Sequence, residues 1–406
     1  MPRLVHLGLG AFARAHLCTY TQAAGDWSIT GVGLLPADAA VRDAHPEQGY
    51  DVVLAHADGR RETERVDVVD EYLFADPTAT LERLADPGTA IVSLTLTEGG
   101  WGTPHEWQPD SAVGLVVRGL QARRRAGCPP YTVLSCDNVQ RNGTVARACV
   151  AAAAALLEPG LDDWVSDEVA FPSSMVDRIT PAPTDQRVVV AEPFRQWVVE
   201  DRFPLGRPAW ERAGALLVDD VEPYELMKLR LLNAAHQVLA YPALLLGHRF
   251  VHEAVPDLAP LLRGWWQEAL PTVPPVPGVD LAGYPATLLE RFANPHVADR
   301  VERLAAFASD RIEGFLLPVV RANLAAGRGV PVATFVLAAW ARSLELAREV
   351  VDHRQVQPGE QLLDDRALAG VADQIRPAFL AALSALRQDP RRALPNEWRQ
   401  EGRIGG

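Results

Sequence analysis

The sequence predicts an α/β protein in which a domain with a largely parallel sheet is followed by an all-helical domain. Three observations predict this class. The chain opens with an apolar run over residues 3–9, which leads through a glycine turn into a helix-forming segment. Strand-length apolar runs then alternate with amphipathic helix-length segments, and after about residue 215 only helix-length segments follow. We therefore divide the chain into an α/β domain, residues 1–220, and a helical domain, residues 221–406.

The strand-like runs are residues 3–9, 27–35, 51–58, 65–74, 89–98 and 131–139. Between them, residues 78–87 and 111–125 have the pattern of amphipathic helices. Strands connected by helices run parallel, so these elements predict a sheet covered on both faces. In the helical domain, a proline-rich connector at residues 271–280 interrupts the helix-length stretches. Those stretches are residues 223–246, 259–270, 284–293, 296–308, 315–326, 332–350 and 367–388.

Composition places the chain among ordinary globular proteins. It has 406 residues, of which 48% are hydrophobic and 22% charged. The 52 acidic residues outnumber the 39 Lys and Arg residues, so the net charge is −13. An acidic surface repels polyphosphates and anionic lipids, which disfavours nucleic acids and membranes as partners. No signal peptide or membrane-spanning run is evident, and we expect a cytoplasmic protein.

The cysteines favour neither a metal site nor a disulfide framework. Their positions lack the short spacings of zinc ligands, and a reducing compartment fits them best. Coiled-coil heptads are not evident, and the residues leave the oligomeric state undetermined, with a monomer or a weak oligomer as the expectation. The four cysteines are Cys18, Cys128, Cys136 and Cys149.

The turn after the first strand has the spacing of a dinucleotide-binding loop. Gly8 and Gly10, followed by the small Ala13, would let a pyrophosphate approach the backbone at a helix N-terminus. A purely structural strand-to-helix turn has the same pattern, but its place on the first strand favours a nucleotide. Asp38, after the second strand, is the candidate for binding the adenosine ribose, and it would equally serve as a helix cap. No arginine directly follows that strand to bind a 2′-phosphate, so NAD is favoured over NADP.

Lysine occurs once in the sequence, as Lys228, beside 38 arginines. Arginine cannot lose its proton in a protein, whereas a desolvated lysine can titrate near neutrality. In a regular α-helix, His236 would lie about 80° and Asn233 about 140° from Lys228, with Glu225 about 60° away. This half of the helix would be polar while its other positions are largely apolar. A solvated surface face, with the lysine retained by chance, is the alternative interpretation.

Such a set of residues suits the oxidation of a secondary alcohol. A base has to take the hydroxyl proton as hydride leaves, and fixed donors have to stabilise the alkoxide-like transition state. Lys228 fits the first role, and the amides of Asn233 and Asn138 fit the second. Asn138 lies at the end of the last strand-like run of the α/β domain. In open α/β sheets, ligands bind beyond the carboxyl ends of the parallel strands. An asparagine there is also a common turn residue.

These residues resemble the polyol-specific long-chain dehydrogenases, a family that includes mannitol 2-dehydrogenases and hexuronate reductases. The spacing of Lys228, Asn233 and His236 combined with FPSSMVDRITP is the most specific part of the resemblance. The matching segments are GLGAFARAH (8–16), GVGLLPADAAVRD (31–43), SLTLTEGGW (93–101), SCDNVQRNG (135–143), FPSSMVDRITP (171–181), AEPFRQWVVED (191–201), KLRLLNAAH (228–236) and LAAWARSL (337–344).

The resemblance implies a zinc-independent dehydrogenase with a Rossmann-type N-terminal domain and a helical C-terminal domain. It implies that Lys228 is the general acid/base, that Asn138 and Asn233 bind the oxyanion, that His236 orients the substrate, and that Glu225 links the lysine with solvent. Asp177 matches a substrate-contacting aspartate, although an Asp177–Arg178 turn brace explains it equally well. The cofactor-binding positions implied are Gly8, Gly10, Phe12, Ala13, Asp38 and Glu98.

Arg303 and Arg311 match the family positions that reach the far hydroxyls of the substrate, and surface helix charge is the alternative for both. Arginine stands at 311 where lysine is common, and a bidentate guanidinium suits a carboxylate as well as a diol. The leading prediction is therefore an NAD-dependent oxidoreductase that interconverts a sugar alcohol and its ketose, as with mannitol and fructose. The alternatives are a hexuronate reductase acting on fructuronate or tagaturonate, and a non-catalytic sugar or nucleotide sensor.

Overall fold

The computed structural model describes residues 2–96, 98–101, 108–346, 352, 354–394 and 398, without the side chains of residues 98 and 99. The chain divides into two compact units, Met1–Glu222 and Pro223–Gly406. In the described ranges, none of the helices is both long and apolar enough to cross a bilayer.

The first unit is built on a parallel sheet. The strands of the unit are β1 (Arg3–Leu7), β2 (Ser28–Gly33), β3 (Tyr50–Ala55), β4 (Arg61–Val66), β5 (Val69–Phe74), β6 (Thr89–Leu94), β7 (Thr132–Ser135), β8 (Ser174–Asp177), β9 (Val188–Ala191), β10 (Gln196–Glu200) and β11 (Leu216–Val218). Five of them form the main sheet in the order β5-β2-β1-β6-β7, and every pairing in it is parallel.

Helices cover both faces of this sheet, as predicted. They are α1 (Ala11–Ala15), α2 (Leu17–Ala24), α3 (Ala39–Asp43), α4 (Pro77–Ala85), α5 (Ala112–Ala126), α6 (Asn142–Leu157) and α7 (Leu161–Glu168). Successive residues of a strand point to opposite faces, so Leu4 and Val5 of β1 enter two different hydrophobic cores. The core on the Leu4 side contains Tyr20 and Trp197, and the other contains Leu120.

The remaining strands lie outside the main sheet, so the predicted strand at 51–58 does not join it. The run at 51–58 contributes β3 to a separate sheet of order β4-β3-β9, in which β3 pairs antiparallel with β4. A third sheet has the order β11-β10-β8. Apolar periodicity identifies a strand but not its partner, and β3 and β4 pair because a short turn joins them.

The second unit is helical. Its helices are α8 (Glu222–Met227), which begins at the last residue of the first unit, α9 (Ala234–Leu246), α10 (Val251–Ala269), α11 (Tyr284–Phe292), α12 (Val301–Ala305), α13 (Ala308–Arg311), α14 (Leu317–Ala325), α15 (Pro331–Glu345), α16 (Ala372–Gln388) and α17 (Pro390–Ala393). Helix α9 is buried among α10, α12 and α15. Two π-helices, π1 (Lys228–Asn233) and π2 (Ile312–Leu316), interrupt the α-helical segments and pack against each other.

Candidate active site

The glycine turn follows β1 directly and is fixed by its neighbours. Gly8 has a φ of +90°, and a Cβ there would lie 2.3 Å from the carbonyl oxygen of Thr95, so only glycine fits. Gly10 has ordinary angles, and a Cβ on it would come no closer than 4.0 Å to any neighbour. The backbone at Gly10 is therefore open to a ligand, as a pyrophosphate-binding turn requires.

Buried side chains brace this turn. The ring of His6 bonds through Nδ1 to Ser93 Oγ at 2.7 Å and through Nε2 to the Gly8 carbonyl at 3.3 Å. Burial lowers the pKa of His6 to about 4, although the bond to Gly8 opposes the shift, so the ring stays neutral. Ala13 is buried in α1, and the ring of Phe12 stacks on His16 at 5.0 Å. Sequence reasoning missed His6, which lies inside the first apolar run.

Asp38 lies after β2 in a 3₁₀ turn. Its Oδ2 accepts hydrogen bonds from the backbone N–H groups of Leu34 and Leu35, both at 2.8 Å. The carboxylate thus fixes the loop that precedes it, and no side-chain cap on α3 is formed. Glu98 belongs to the 3₁₀ turn Glu98–Trp101, and its side chain lies outside the described part of the structure.

Asn138 is exposed in the bend after β7, and buried polar groups hold that bend in place. Asp137 accepts hydrogen bonds from the Leu96 backbone at 2.7 Å and from the Trp101 indole at 2.9 Å. Asn142 donates to the carbonyls of Asp137 at 3.0 Å and of Ser174 at 2.8 Å. These contacts join the loops after β6 and β7 to β8. Sequence reasoning missed both residues, although Asp137 directly precedes Asn138.

Asp177 is buried at the end of β8, paired with Gln196 of β10. The next residue, Arg178, donates to the backbone carbonyls of Glu192 and Ala15. Burial lowers the pKa of Arg178 to about 10, so the guanidinium stays charged. Arg178 therefore links the end of β8 to α1 through backbone carbonyls, and both interpretations of Asp177 stay open.

The lysine segment is not the regular helix that the sequence predicted. Helix α8 changes into π1 at Lys228, and π1 gives way to α9 at Ala234. The Ala234 N–H donates to the carbonyl of Leu229, five residues back, which is the hydrogen bond of a π-helix. Lys228 and Asn233 are both buried, at 7% and 6% exposure, so a solvated surface face is excluded for them.

The widened turn changes which residues share a face. A π-helix has about 4.4 residues per turn, so Asn233 lies about 50° from Lys228 and not at the 140° of an α-helix. Three further α-helical residues bring His236 to within about 10° of Lys228. Glu225, also buried, remains about 60° away in α8. The predicted angles of Asn233 and His236 were wrong, and the π-helix brings the four polar groups closer together around the helix than predicted.

His236 and Gln237 connect α9 with its neighbours. The His236 ring is half-buried and lies 4.7 Å from the ring of Phe292 at the end of α11. Gln237 is fully buried, donates to the carbonyl of Leu304 at 3.1 Å and accepts from the Tyr241 hydroxyl at 2.6 Å. Gln237 therefore ties α9 to the end of α12, a role that no pattern in the sequence indicates.

Arg303 and Arg311 both belong to the segment that follows α11. Arg303 pairs bidentately with the buried Asp299, at 2.7 and 2.6 Å, while its own side chain remains 55% exposed. Burial alone would lower the pKa of Arg303, but the bonds to Asp299 outweigh it and raise the pKa overall. Arg311 donates to the carbonyls of Arg303 and Leu304 at 2.9 and 3.0 Å. The structure therefore brings the two arginines together and adds Asp299, which the sequence analysis did not select.

Among the described residues, no group of three or more His, Cys, Asp or Glu side chains has the arrangement of a metal site. The four cysteines are not joined in disulfides, and Cys18 and Cys136 are buried. Burial raises the pKa of the Cys18 thiol to about 12, so this thiol is protonated at neutral pH.

Comparison with known proteins accounts for both units. Residues 2–212 match the family model of the mannitol dehydrogenase Rossmann domain, and residues 220–382 match that of the mannitol dehydrogenase C-terminal domain. Mannitol 2-dehydrogenase of Cereibacter sphaeroides is 39% identical over 84% of this chain and 80% of its own length. Mannitol dehydrogenase DSF1 of Saccharomyces cerevisiae is 38% identical over 79% of this chain and 73% of its own.

Two solved structures share the architecture. Mannitol 2-dehydrogenase of Pseudomonas fluorescens, in a ternary complex with NAD and D-mannitol, superposes with a TM-score of 0.84 at 35% identity, covering 96% of this chain and 92% of that one. A substrate-free D-sorbitol dehydrogenase also gives 0.84, at 29% identity, covering 97% and 95%. The predicted Rossmann-type domain followed by a helical domain is confirmed. The chain belongs to the mannitol dehydrogenase family of oxidoreductases.

Proposed function

We propose that this protein is an NAD-dependent polyol dehydrogenase that interconverts a sugar alcohol and its ketose, with Lys228 as the proton acceptor. The observation that carries the proposal is the position of the single lysine. Lys228 is buried at 7% exposure, and the π-turn sets Asn233 and His236 on its side of the helix. A buried amine beside an amide donor suits alcohol oxidation, and the Pseudomonas fluorescens relative binds NAD with D-mannitol.

The glycine turn fits NAD. Gly10 leaves the backbone open, Gly8 and Ala13 keep the turn tight, and these residues together with Phe12 would hold the pyrophosphate end. Both backbone bonds of Asp38 go to Oδ2, and we assign its Oδ1 to the ribose hydroxyls. A carboxylate there would repel a 2′-phosphate, which favours NAD over NADP. When bound, the nicotinamide accepts the hydride.

The chain's own residues handle the proton and the developing charge. Neutral Lys228 takes the proton of the reacting hydroxyl at Nζ, and Glu225, one turn earlier and buried, relays it outward. The amide N–H groups of Asn233 and Asn138 donate to the developing oxyanion. The imidazole of His236, set against Phe292, orients a neighbouring substrate hydroxyl.

Charge balance favours a neutral polyol over a sugar acid. The Arg303 charge is already compensated by Asp299, and part of the Arg311 guanidinium is used by two backbone carbonyls. Asp177 adds a negative charge to the substrate-binding residues that we propose. A substrate carboxylate would therefore gain little binding energy from the two arginines. A neutral hydroxyl group can still donate a hydrogen bond to a carboxylate or accept one from a guanidinium.

The test is reduction of NAD+ with D-mannitol, D-sorbitol and D-arabinitol, and oxidation of NADH with fructose, fructuronate and tagaturonate. We expect NAD+ reduction with at least one polyol, slower reaction with NADP+, and activity that survives dialysis against EDTA. Faster reduction of a uronate than of fructose would replace the polyol assignment with a hexuronate reductase. NADH binding without turnover of any of these compounds would indicate a sensor.

A further inference from the structure

The π1 helix leaves one backbone carbonyl without its regular donor. In an α-helix the N–H of Ala234 would donate to the carbonyl of Arg230, four residues back. Here it donates to Leu229, one residue further back. The Arg230 carbonyl therefore lacks the donor that an α-helix would give it, and a donor from outside the helix can take that place.

Two adjacent tryptophans of α10 donate to this turn. The indole N–H of Trp265 bonds to the carbonyl of Arg230 at 3.0 Å, and that of Trp266 bonds to the carbonyl of Leu231 at 2.9 Å. Both side chains are buried, at 0% and 3% exposure. The guanidinium of Arg230 also donates to the carbonyl of Thr272, just past α10. The π-turn is therefore anchored to α10 and the segment after it.

We infer that Trp265 and Trp266 are positioning residues that hold π1 in its widened form and thereby keep Asn233 and His236 on the same side as Lys228. If π1 relaxed to an α-helix, Asn233 would move from about 50° to about 140° from the lysine. The tryptophans act through the backbone and need no contact with substrate. The catalytic consequence rests on the proposed function, whereas the backbone geometry does not.

Trp265→Phe and Trp266→Phe test the inference, because phenylalanine keeps an aromatic ring and removes only the donor and part of the volume. Trp340→Phe is the matched control. Trp340 is buried at 3% exposure in α15 of the same unit, and its indole N–H has no hydrogen-bond partner in the described structure. The same substitution there removes volume without removing a bond.

The single lysine supplies a readout that does not depend on turnover. Protein made with lysine labelled with ¹³C at Cε gives one side-chain signal, that of Lys228, and its pH titration reports the surroundings of the amine. For Trp265→Phe we expect kcat for polyol oxidation to fall about tenfold or more. The KM for NAD+ should stay unchanged, and the lysine titration should shift. Trp266→Phe should act in the same direction, and Trp340→Phe should leave kcat and the lysine signal as in the unmodified protein.

A folded Trp265→Phe variant with the original kcat and lysine titration would overturn the inference. Equal losses in Trp265→Phe and Trp340→Phe would overturn it too, because they would show a general packing effect. A fall in kcat with an unmoved lysine signal would also contradict it. If the unmodified protein oxidised no polyol, the proposed function would fail, and the lysine signal alone would decide the role of the tryptophans.

Discussion

The glycine turn of the first unit and the π-turn of the second position their backbones by different means. At Gly8 the constraint is local, since a φ of +90° and the close approach of the Thr95 carbonyl oxygen leave no room for a Cβ. At π1 the constraint is tertiary, since donors from α10 bond to the carbonyls of Arg230 and Leu231. The backbone conformation at Gly8 is therefore set by the residue itself and its immediate surroundings. The conformation of π1 depends on side chains more than 30 residues away in the sequence.

Replacing Lys228 gives the largest expected effect. Lys228→Ala should lower kcat for polyol oxidation by about 10²–10⁴-fold, because the general base is lost. NADH binding, followed by fluorescence titration, should stay nearly unchanged, since the glycine turn belongs to the other unit. Lys228→Arg should be almost as damaging, because a guanidinium keeps its proton. More than about a tenth of the original activity in Lys228→Ala would remove the lysine from the mechanism.

The glycine pair tests the local kind of constraint. Gly8→Ala should destabilise the first unit by about 2–5 kcal/mol, through the positive φ and the clash with Thr95, as measured by urea unfolding. Gly10→Ala is the matched variant, because its Cβ would enter open space. It should keep its stability and bind NADH about tenfold more weakly. If Gly10→Ala bound NADH normally, the turn would be purely structural.

Glu268 tests a second constraint that comes from a distant part of the chain. It lies in α10, three residues after Trp265. Its carboxylate accepts the N–H groups of Val332 at 2.6 Å and Ala333 at 3.2 Å and so caps the start of α15. Burial raises the pKa of Glu268 to about 7 from 4.5, although the two backbone bonds pull it down.

The sign of the pH effect follows from that shift. Between pH 4.5 and 7 the folded protein holds a proton that the unfolded chain has lost, so stability falls as the pH rises through this window. Relative to Glu268→Gln, the free energy of unfolding of the unmodified protein should fall by about 2 kcal/mol between pH 5 and 7.5. Thermal unfolding at both pH values measures it, with the exposed Glu290→Gln as control. A pH-independent difference between the unmodified protein and Glu268→Gln would show that Glu268 titrates normally.

Much of the fold follows from local sequence patterns. The apolar runs at β1, β2, β5, β6 and β7, separated by helix-length segments, predict the main sheet, and the glycine spacing predicts the turn that follows β1. The separate sheet around β3 was missed, because apolar periodicity does not specify the partner of a strand.

Only part of the candidate site could be predicted from the sequence. Lys228, Asn233 and His236 are found by residue type and spacing, whereas the π-turn that aligns them is not. Leu229, Leu231 and Leu232 are buried and apolar and fit either kind of helix. The residues that indicate this turn lie 35 positions further along the chain: the adjacent Trp265 and Trp266, whose indole N–H groups need buried acceptors. Asp299 was missed for a similar reason, since its pairing with Arg303 appears only in the folded chain.

The central claim is that the amine of Lys228 takes the substrate proton. The most direct measurement compares the ¹³Cε titration of this lysine, with NAD+ bound, with the pH profile of kcat/KM for polyol oxidation at saturating NAD+. Proton acceptance by the neutral amine predicts that activity rises with pH along the same curve on which Lys228 deprotonates. The acidic limb of the profile should vanish from the residual activity of Lys228→Ala. The claim would be contradicted if the midpoints of the lysine titration and of the kcat/KM profile differed by more than one pH unit. An unchanged acidic limb in the profile of Lys228→Ala would contradict it too.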